Sequence, residues 1–240
     1  LLLYKQKVDE IILKKLKIKT KKPNLNDWKR VIKAKLHPVK EVNVSFVGKY
    51  TELKDSYKSI NEALEHAGIQ NKAKVNINFV EAEKITPKNV KRILKQSDAV
   101  LVPGGFGERG VEGMITACKY ARENNVPYLG ICLGMQVAII EYARNVLKLK
   151  YANSTEFDIE TPFPVIGLIT EWSDISGKKE KRNINSDLGG TMRLGGQVCE
   201  LKKGSNSFKM YKNSKIIERH RHRYEVNPKF KDKMIDMGLD

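Results

Sequence analysis

Gly130-Ile131-Cys132-Leu133-Gly134 sets a thiol between two glycines, where an apolar run gives way to a helix-periodic one. This is the G-x-nucleophile-x-G elbow with cysteine in place of serine. The glycines permit a sharp strand-to-helix turn and leave the nucleophile at its tip. Amide dipoles at a helix N-terminus favour thiolate, so the Cys132 pKa is expected to fall. The Leu133 N–H would then point at an oxyanion formed on the attacked carbon. A small buried core residue is the plainer use of a cysteine, but the flanking glycines and a second glycine-rich turn favour chemistry. Cys118 sits mid-helix and Cys199 among strand-forming residues with no helix start, so both read as packing.

The second turn is Pro103-Gly104-Gly105-Phe106-Gly107-Glu108-Arg109-Gly110. Gly105, Gly107 and Gly110 fit the spacing of a dinucleotide fingerprint. The next strand, however, ends in Cys132 rather than a ribose-binding acid, and this unit is third in the chain rather than first. Baring backbone N–H groups toward an anion or a developing oxyanion is the better use of Gly104-Gly105.

A cysteine nucleophile needs a base, usually a histidine oriented by a carboxylate. The chain has 4 histidines. His37 falls in a connector and His66 near a helix end, each most simply exposed. His220 and His222 belong to Glu218-Arg219-His220-Arg221-His222-Arg223-Tyr224, which, if extended, puts Arg219, Arg221 and Arg223 on one face and the histidines on the other. Three cationic neighbours argue against a metal there. An arginine row suits a carboxylate or phosphate held bidentately, and a solvated strand face is the plain alternative. No histidine in the sequence is a convincing base.

The elements that must position these groups follow from periodicity. Residues 1 to about 40 form a lead-in: a short helix-like run (Val8, Ile11, Ile12, Leu16), then a Lys-rich connector punctuated by Pro23 and Pro38. Val42 to Val47 alternates as a strand ending at Gly48. A helix follows from about Asp55, with Gly68 expected as its left-handed terminus. Val75 to Val80 is a second strand, and Thr86-Pro87 offers an N-cap and first-turn proline for a helix carrying Val90, Ile93 and Leu94. Ala99 to Val102 is a buried strand and Val111 to Asn124 a helix. Pro127 to Ile131 is a strand and Met135 to Leu147 a helix. This alternation predicts βαβ units and a parallel sheet covered on both faces, with reactive groups at the strand C-termini. Beyond about residue 150 the pieces are shorter and β-rich: Val165 to Ile169, Gln197 to Leu201 and Lys215 to Val226.

Composition sets the outer bounds. The 240 residues are 40% hydrophobic, enough for a real core, and hold no apolar run long enough to span a membrane. Lys+Arg 45 against Asp+Glu 28 gives +17. The lysines are scattered, and the one dense stretch, Lys14 to Lys35, lacks interleaved aromatics, so nucleic-acid binding is not expected. The odd cysteine count, without CxxC spacing, points to a reducing compartment, and a cytoplasmic location is expected. The opening Leu1-Leu2-Leu3-Tyr4 has no Met, basic leader or cleavage site, and reads as the interior of a longer protein.

Taken together, Gly104-Gly105-Phe106-Gly107, Gly130 to Gln136, Asn153-Ser154-Thr155-Glu156-Phe157, Leu188 to Gly195 and Arg219 to Asn227 resemble the CTP synthase family. The match is to its class I (triad) glutamine amidotransferase domain, and it covers nearly the whole chain. The first two motifs occur in many class I amidotransferases, whereas the last three resemble CTP synthases in particular. The resemblance implies a flavodoxin-like, open, mostly parallel sheet with helices on both faces and a β-rich C-terminal part. Residues 1–40 would be the end of a synthetase domain and its linker, and 41–240 the amidotransferase domain.

It implies that Cys132 attacks the glutamine side-chain amide, with Gly105 and Leu133 binding the oxyanion. Gly105, Leu133, Gly134, Met135 and Gln136 would line the L-glutamine pocket. Glu156 would receive the substrate ammonium and Arg223 its carboxylate, as a zwitterion requires. Arg109 and Arg182 fall where the family senses GTP, its allosteric activator. No metal or cofactor is implied for this part of the enzyme. The whole enzyme would use ATP, magnesium and UTP in a homotetramer. The family's His-Pro-Glu motif, which holds the triad base and its acid, is absent from these residues, as is any P-loop. The chain is therefore expected to be truncated at both ends, and by itself to form a thioester slowly at best.

Overall fold

The computed structural model describes residues 1–49, 51, 54–168, 171–173, 179–181 and 193–239. The chain divides into two compact units, residues 1–44 with 52–78, and residues 45–51 with 79–240. The boundary runs through the strands β1 (Lys40–Gly48) and β2 (Ala73–Glu81).

The first unit carries helices α1 (Leu2–Lys5), α2 (Val8–Lys15), α3 (Asn26–Leu36) and α4 (Lys58–Gln70). The stretch read as a connector thus contains a helix, α3. Its lysines ride on the solvent side, and Lys35 pairs with Glu65 of α4. Gly68 does not end its helix. It is buried inside α4, where a Cβ would lie 2.6 Å from the Ala73 carbonyl oxygen. Close approach of backbone, not a left-handed turn, is what requires glycine here. The left-handed residue comes later, at Lys72 (φ 52°).

The second unit continues with α5 (Val90–Leu94), β3 (Ala99–Val102), α6 (Val111–Glu123), β4 (Tyr128–Gly130) and α7 (Leu133–Asn145). Thr86-Pro87 does not open α5. The helix starts at Val90, and the Asn89 side-chain oxygen accepts the Thr86 N–H across the preceding turn. The β-rich remainder comprises β5 (Ala152–Ser154), β6 (Phe163–Leu168), β7 (Glu171–Ser173), β8 (Lys179–Lys181), β9 (Arg193–Glu200), α8 (Asn206–Tyr211), β10 (Lys215–His222), β11 (Tyr224–Val226) and α9 (Pro228–Asp236).

The four-stranded parallel sheet has the order β2-β1-β3-β4, with Val100, Leu101 and Val102 opposite Tyr128, Leu129 and Gly130. This is the flavodoxin-like order, whose switch point lies between β1 and β3. Its core holds Val47, Val100, Val102, Met114, Leu133, Val137 and Ile140, each nearly or wholly sealed from solvent. The second unit also contains the three-stranded sheet β11-β6-β5 and the antiparallel ribbon β10-β9.

β3, β4 and α7 meet almost backbone to backbone. A Cβ on Gly134 would fall 2.1 Å from the Val102 carbonyl oxygen, and one on Gly130 would fall 2.5 Å from the Gly134 backbone. The elbow glycines are therefore dictated by the approach of α7 to the sheet. The Tyr128 hydroxyl donates to the Gly134 carbonyl (2.8 Å) and ties the first turn of α7 to β4.

Candidate active site

Three strand C-termini converge on the elbow: β1 ends before Lys49, β3 before Pro103-Gly104-Gly105, and β4 before Cys132. Cys132 is the N-cap of α7 with φ 53° and ψ −103°. A non-glycine residue at positive φ is uncommon, and such strain persists only where surrounding structure enforces it. Here the enforcers are the Gly130 and Gly134 contacts on either side.

The thiol is half-buried. The N–H groups of Leu133 and Gly105 both hydrogen-bond its sulfur, and Sγ donates to the Arg221 carbonyl oxygen at 3.7 Å. A Cβ on Gly104 would sit 3.4 Å from the Cys132 Cβ, and one on Gly105 would sit 3.3 Å from Leu133 Cδ2. The two glycine-rich turns thus lie side by side, and two amides, one from the loop after β3 and one from the first turn of α7, aim at one sulfur. That geometry can stabilise an oxyanion at the carbon the thiolate attacks.

The thiol pKa departs from the sequence expectation. Burial pushes it up and the Glu156 carboxylate adds to this. The Leu133 and Gly105 amides and the Arg221 charge pull the other way without reversing it. Loss of water therefore outweighs the helix terminus. The Arg221 carbonyl accepts a hydrogen bond but cannot remove the proton, so reactivity requires a base. Simple alkylation should report this directly. Cys132 should react with iodoacetamide more slowly than a free thiol at pH 7, and its rate should climb about tenfold per pH unit past the usual thiol range, since only thiolate attacks. Mass spectrometry of the alkylated chain across pH checks it; a plateau below pH 8 would contradict the raised pKa. Cys118 should stay unmodified. Burial, reinforced by the Glu141 carboxylate, pushes its thiol up to about 12.

Glu156 follows β5, and its Oε1 accepts the Gly107 N–H at 2.8 Å. The Ser154 hydroxyl oxygen accepts the Glu156 N–H (3.1 Å), which fixes the turn. Arg223 lies in the break between β10 and β11, so it does not continue the row of Arg219 and Arg221. In β10 those two arginines are exposed and His220 and His222 half-buried, as alternation requires, whereas the Arg223 guanidinium stands 5.9 Å from the Phe106 ring centroid, within cation–π range. Glu156 and Arg223 are thus brought to the same glycine loop, one at Gly107 and one at Phe106.

The remaining site residues divide. Gln136 is buried, and its side-chain N–H donates to the Tyr224 carbonyl (2.9 Å), which ties α7 to the strand after Arg223. Met135 is half-buried against the core. Arg109 pairs with Glu83 at 3.0 Å. Arg182 lies outside the described residues. His37 and His66 are exposed. Cys199 is half-buried rather than core, with Sγ 3.5 Å from His220 Nε2. Among the described residues, no group of three or more His, Cys, Asp or Glu side chains is arranged to hold a metal. No described helix is long and apolar enough to cross a membrane.

One residue escaped the sequence reading. Lys49, only 8% exposed, donates to the Phe106 carbonyl (2.9 Å) and to the Gly107 carbonyl (2.5 Å). The available signal was a lysine directly after Gly48, at the C-terminal end of a buried strand.

Comparison with known proteins agrees with this geometry. Residues 52–238 match the family model described as "Glutamine amidotransferase class-I". Among solved structures, the chain is similar to the glutaminase domain of Trypanosoma brucei CTPS, a CTP synthase, determined with bound acivicin. The two are 36% identical with a TM-score of 0.72, over 83% of this chain and 73% of that one. With a parallel 2-1-3-4 sheet, a cysteine elbow facing a glycine loop and a family match over most of its length, this chain belongs to the class-I glutamine amidotransferases.

Proposed function

We propose that this chain hydrolyses the side-chain amide of L-glutamine as the ammonia-producing part of a CTP synthase. The observation that carries the reading is the pair of amides, Gly105 N–H and Leu133 N–H, hydrogen-bonded to the sulfur of a strained N-cap cysteine. Cys132 thiolate attacks the amide carbon, and the two N–H groups hold the oxyanion. Collapse breaks the C–N bond; the nitrogen takes a proton and leaves as NH3, with a γ-glutamyl thioester remaining. Water then adds to the thioester, and C–S cleavage gives glutamate and the thiol. The base would be the histidine of the His-Pro-Glu motif that the family resemblance implies.

The substrate is a zwitterion, and Glu156 and Arg223 supply the opposite charges for its ammonium and carboxylate. Gly134, Met135 and Gln136 form the pocket wall, and Arg109 and Arg182 are the GTP-linked residues. The ammonia would aminate UTP activated by ATP and magnesium in a synthetase domain of the full enzyme, a homotetramer working in the cytoplasm. The direct test is labelling by a glutamine analogue with an electrophilic γ-carbon. Peptide mapping should find the adduct on Cys132, with free glutamine protecting; an adduct on Cys118 or Cys199 would overturn the assignment.

A further inference from the structure

The loop that presents the Gly105 N–H has little stiffness of its own. Gly104, Gly105 and Gly107 give it wide conformational freedom, and Gly107 sits at φ 77°. Yet an oxyanion donor works only if it is held in place before charge develops. Something outside the loop must hold it, and the contacts identify what.

The Phe106–Gly107 peptide is gripped at both ends. Its carbonyl oxygen accepts from the Lys49 ammonium at 2.9 Å, and its N–H donates to Glu156 Oε1 at 2.8 Å. A peptide unit is planar, so fixing its oxygen and its hydrogen fixes the plane. Lys49 adds a second bond to the next carbonyl, that of Gly107, at 2.5 Å. The Gly105 N–H lies two peptide units upstream of this clamped plane, with only the Gly105–Phe106 peptide between them, so the clamp fixes the downstream end of the turn that carries it.

Burying an ammonium is costly, and burial lowers the Lys49 pKa. Glu156 supports the charged form and the Arg109 guanidinium opposes it, with the Glu83 carboxylate adding support. A cation kept in so dry a position and bonded to two loop carbonyls is poorly explained by surface solubility. The bonding also separates the roles of its two neighbours. When a substrate ammonium draws on Glu156, the N–H side of the plane loses part of its anchor, while the bonds from Lys49 remain.

We infer that Lys49 is a positioning residue for glutamine hydrolysis: it clamps the Phe106 and Gly107 carbonyls so that the Gly105 N–H stays aimed at the oxyanion while Glu156 turns to the substrate. Lys49 touches neither substrate nor sulfur in this role. The inference rests on the proposed glutaminase reading of Cys132.

The test uses the full gene product, with wild type, K49M, K49Q and C132S compared in steady-state glutaminase assays. K49M should lower kcat by about 100-fold, the scale of a donor displaced by about 1 Å, while KM for glutamine moves by less than about threefold. K49Q, which can still donate to one carbonyl, should fall between K49M and wild type. Alkylation of Cys132 by iodoacetamide, which forms no oxyanion, should fall far less than kcat in both variants, because only the Gly105 share of thiolate stabilisation is lost. Unchanged kcat in K49M would overturn the inference. So would a joint collapse of kcat, KM and alkylation in both variants, which would mark Lys49 as merely structural. Wild-type turnover that survives in C132S would instead overturn the glutaminase reading, and this inference with it.

Discussion

Cys132→Ser should lower glutamine hydrolysis by about 10⁴-fold or more, as loss of a triad nucleophile does elsewhere. The side chain at residue 132 is held at φ 53° by glycines that admit no Cβ, so serine should occupy the same elbow without refolding it. What changes is the atom. A hydroxyl is far harder to ionise than a thiol, and the site already disfavours charge through burial. Two amides can stabilise an oxyanion only after attack has begun, so they cannot compensate for a weak nucleophile. Ammonia release from glutamine by the full gene product is the measurement, with thermal unfolding as the control. Unfolding within a few degrees of wild type alongside lost turnover is the expected pair; retained turnover would remove the sulfur from the mechanism.

The second large effect belongs to Arg223. Arg223→Met should raise KM for glutamine by about 100-fold, the consequence of leaving a substrate carboxylate without its charged partner. The guanidinium stands over the Phe106 ring at a strand break, on the same loop whose Gly107 N–H meets Glu156. This arrangement offers one cation and one anion to the two ends of an amino acid. Methionine preserves much of the side-chain volume against the ring, so the loop should survive the change. Reaction of Cys132 with iodoacetamide, which has neither charged end, should then stay within about twofold of wild type. A KM within threefold of wild type would show that the carboxylate is held elsewhere.

Much of this site was legible in the order of residues. The G-x-C-x-G spacing marked the elbow, and the glycine run after Ala99 to Val102 marked its partner. The 2.0 and 3.6 periodicities placed β1 to β4, α6 and α7 to within two residues at each end. Other elements were not legible for identifiable reasons. Helix α3 was hidden because its lysines break the apolar pattern, although they simply face water. Gly68 looked like a terminus because local pattern cannot show that the Ala73 carbonyl presses on it. Arg223 looked like the third member of a strand row because nothing nearby announces the break between β10 and β11.

The division has a physical basis. Glycine positions, apolar periodicity and the alternation of strands and helices act through sterics and burial over a few residues, so the sequence by itself determined the α/β class, the elbow and the identity of its sulfur. The direction of the Cys132 pKa depends on how much water the fold removes and on Glu156, a residue 24 positions away. The clamp on the oxyanion loop depends on Lys49 reaching Phe106 across 57 positions. Desolvation and long-range convergence exist only after the chain has closed on itself, and the tertiary structure alone decided them.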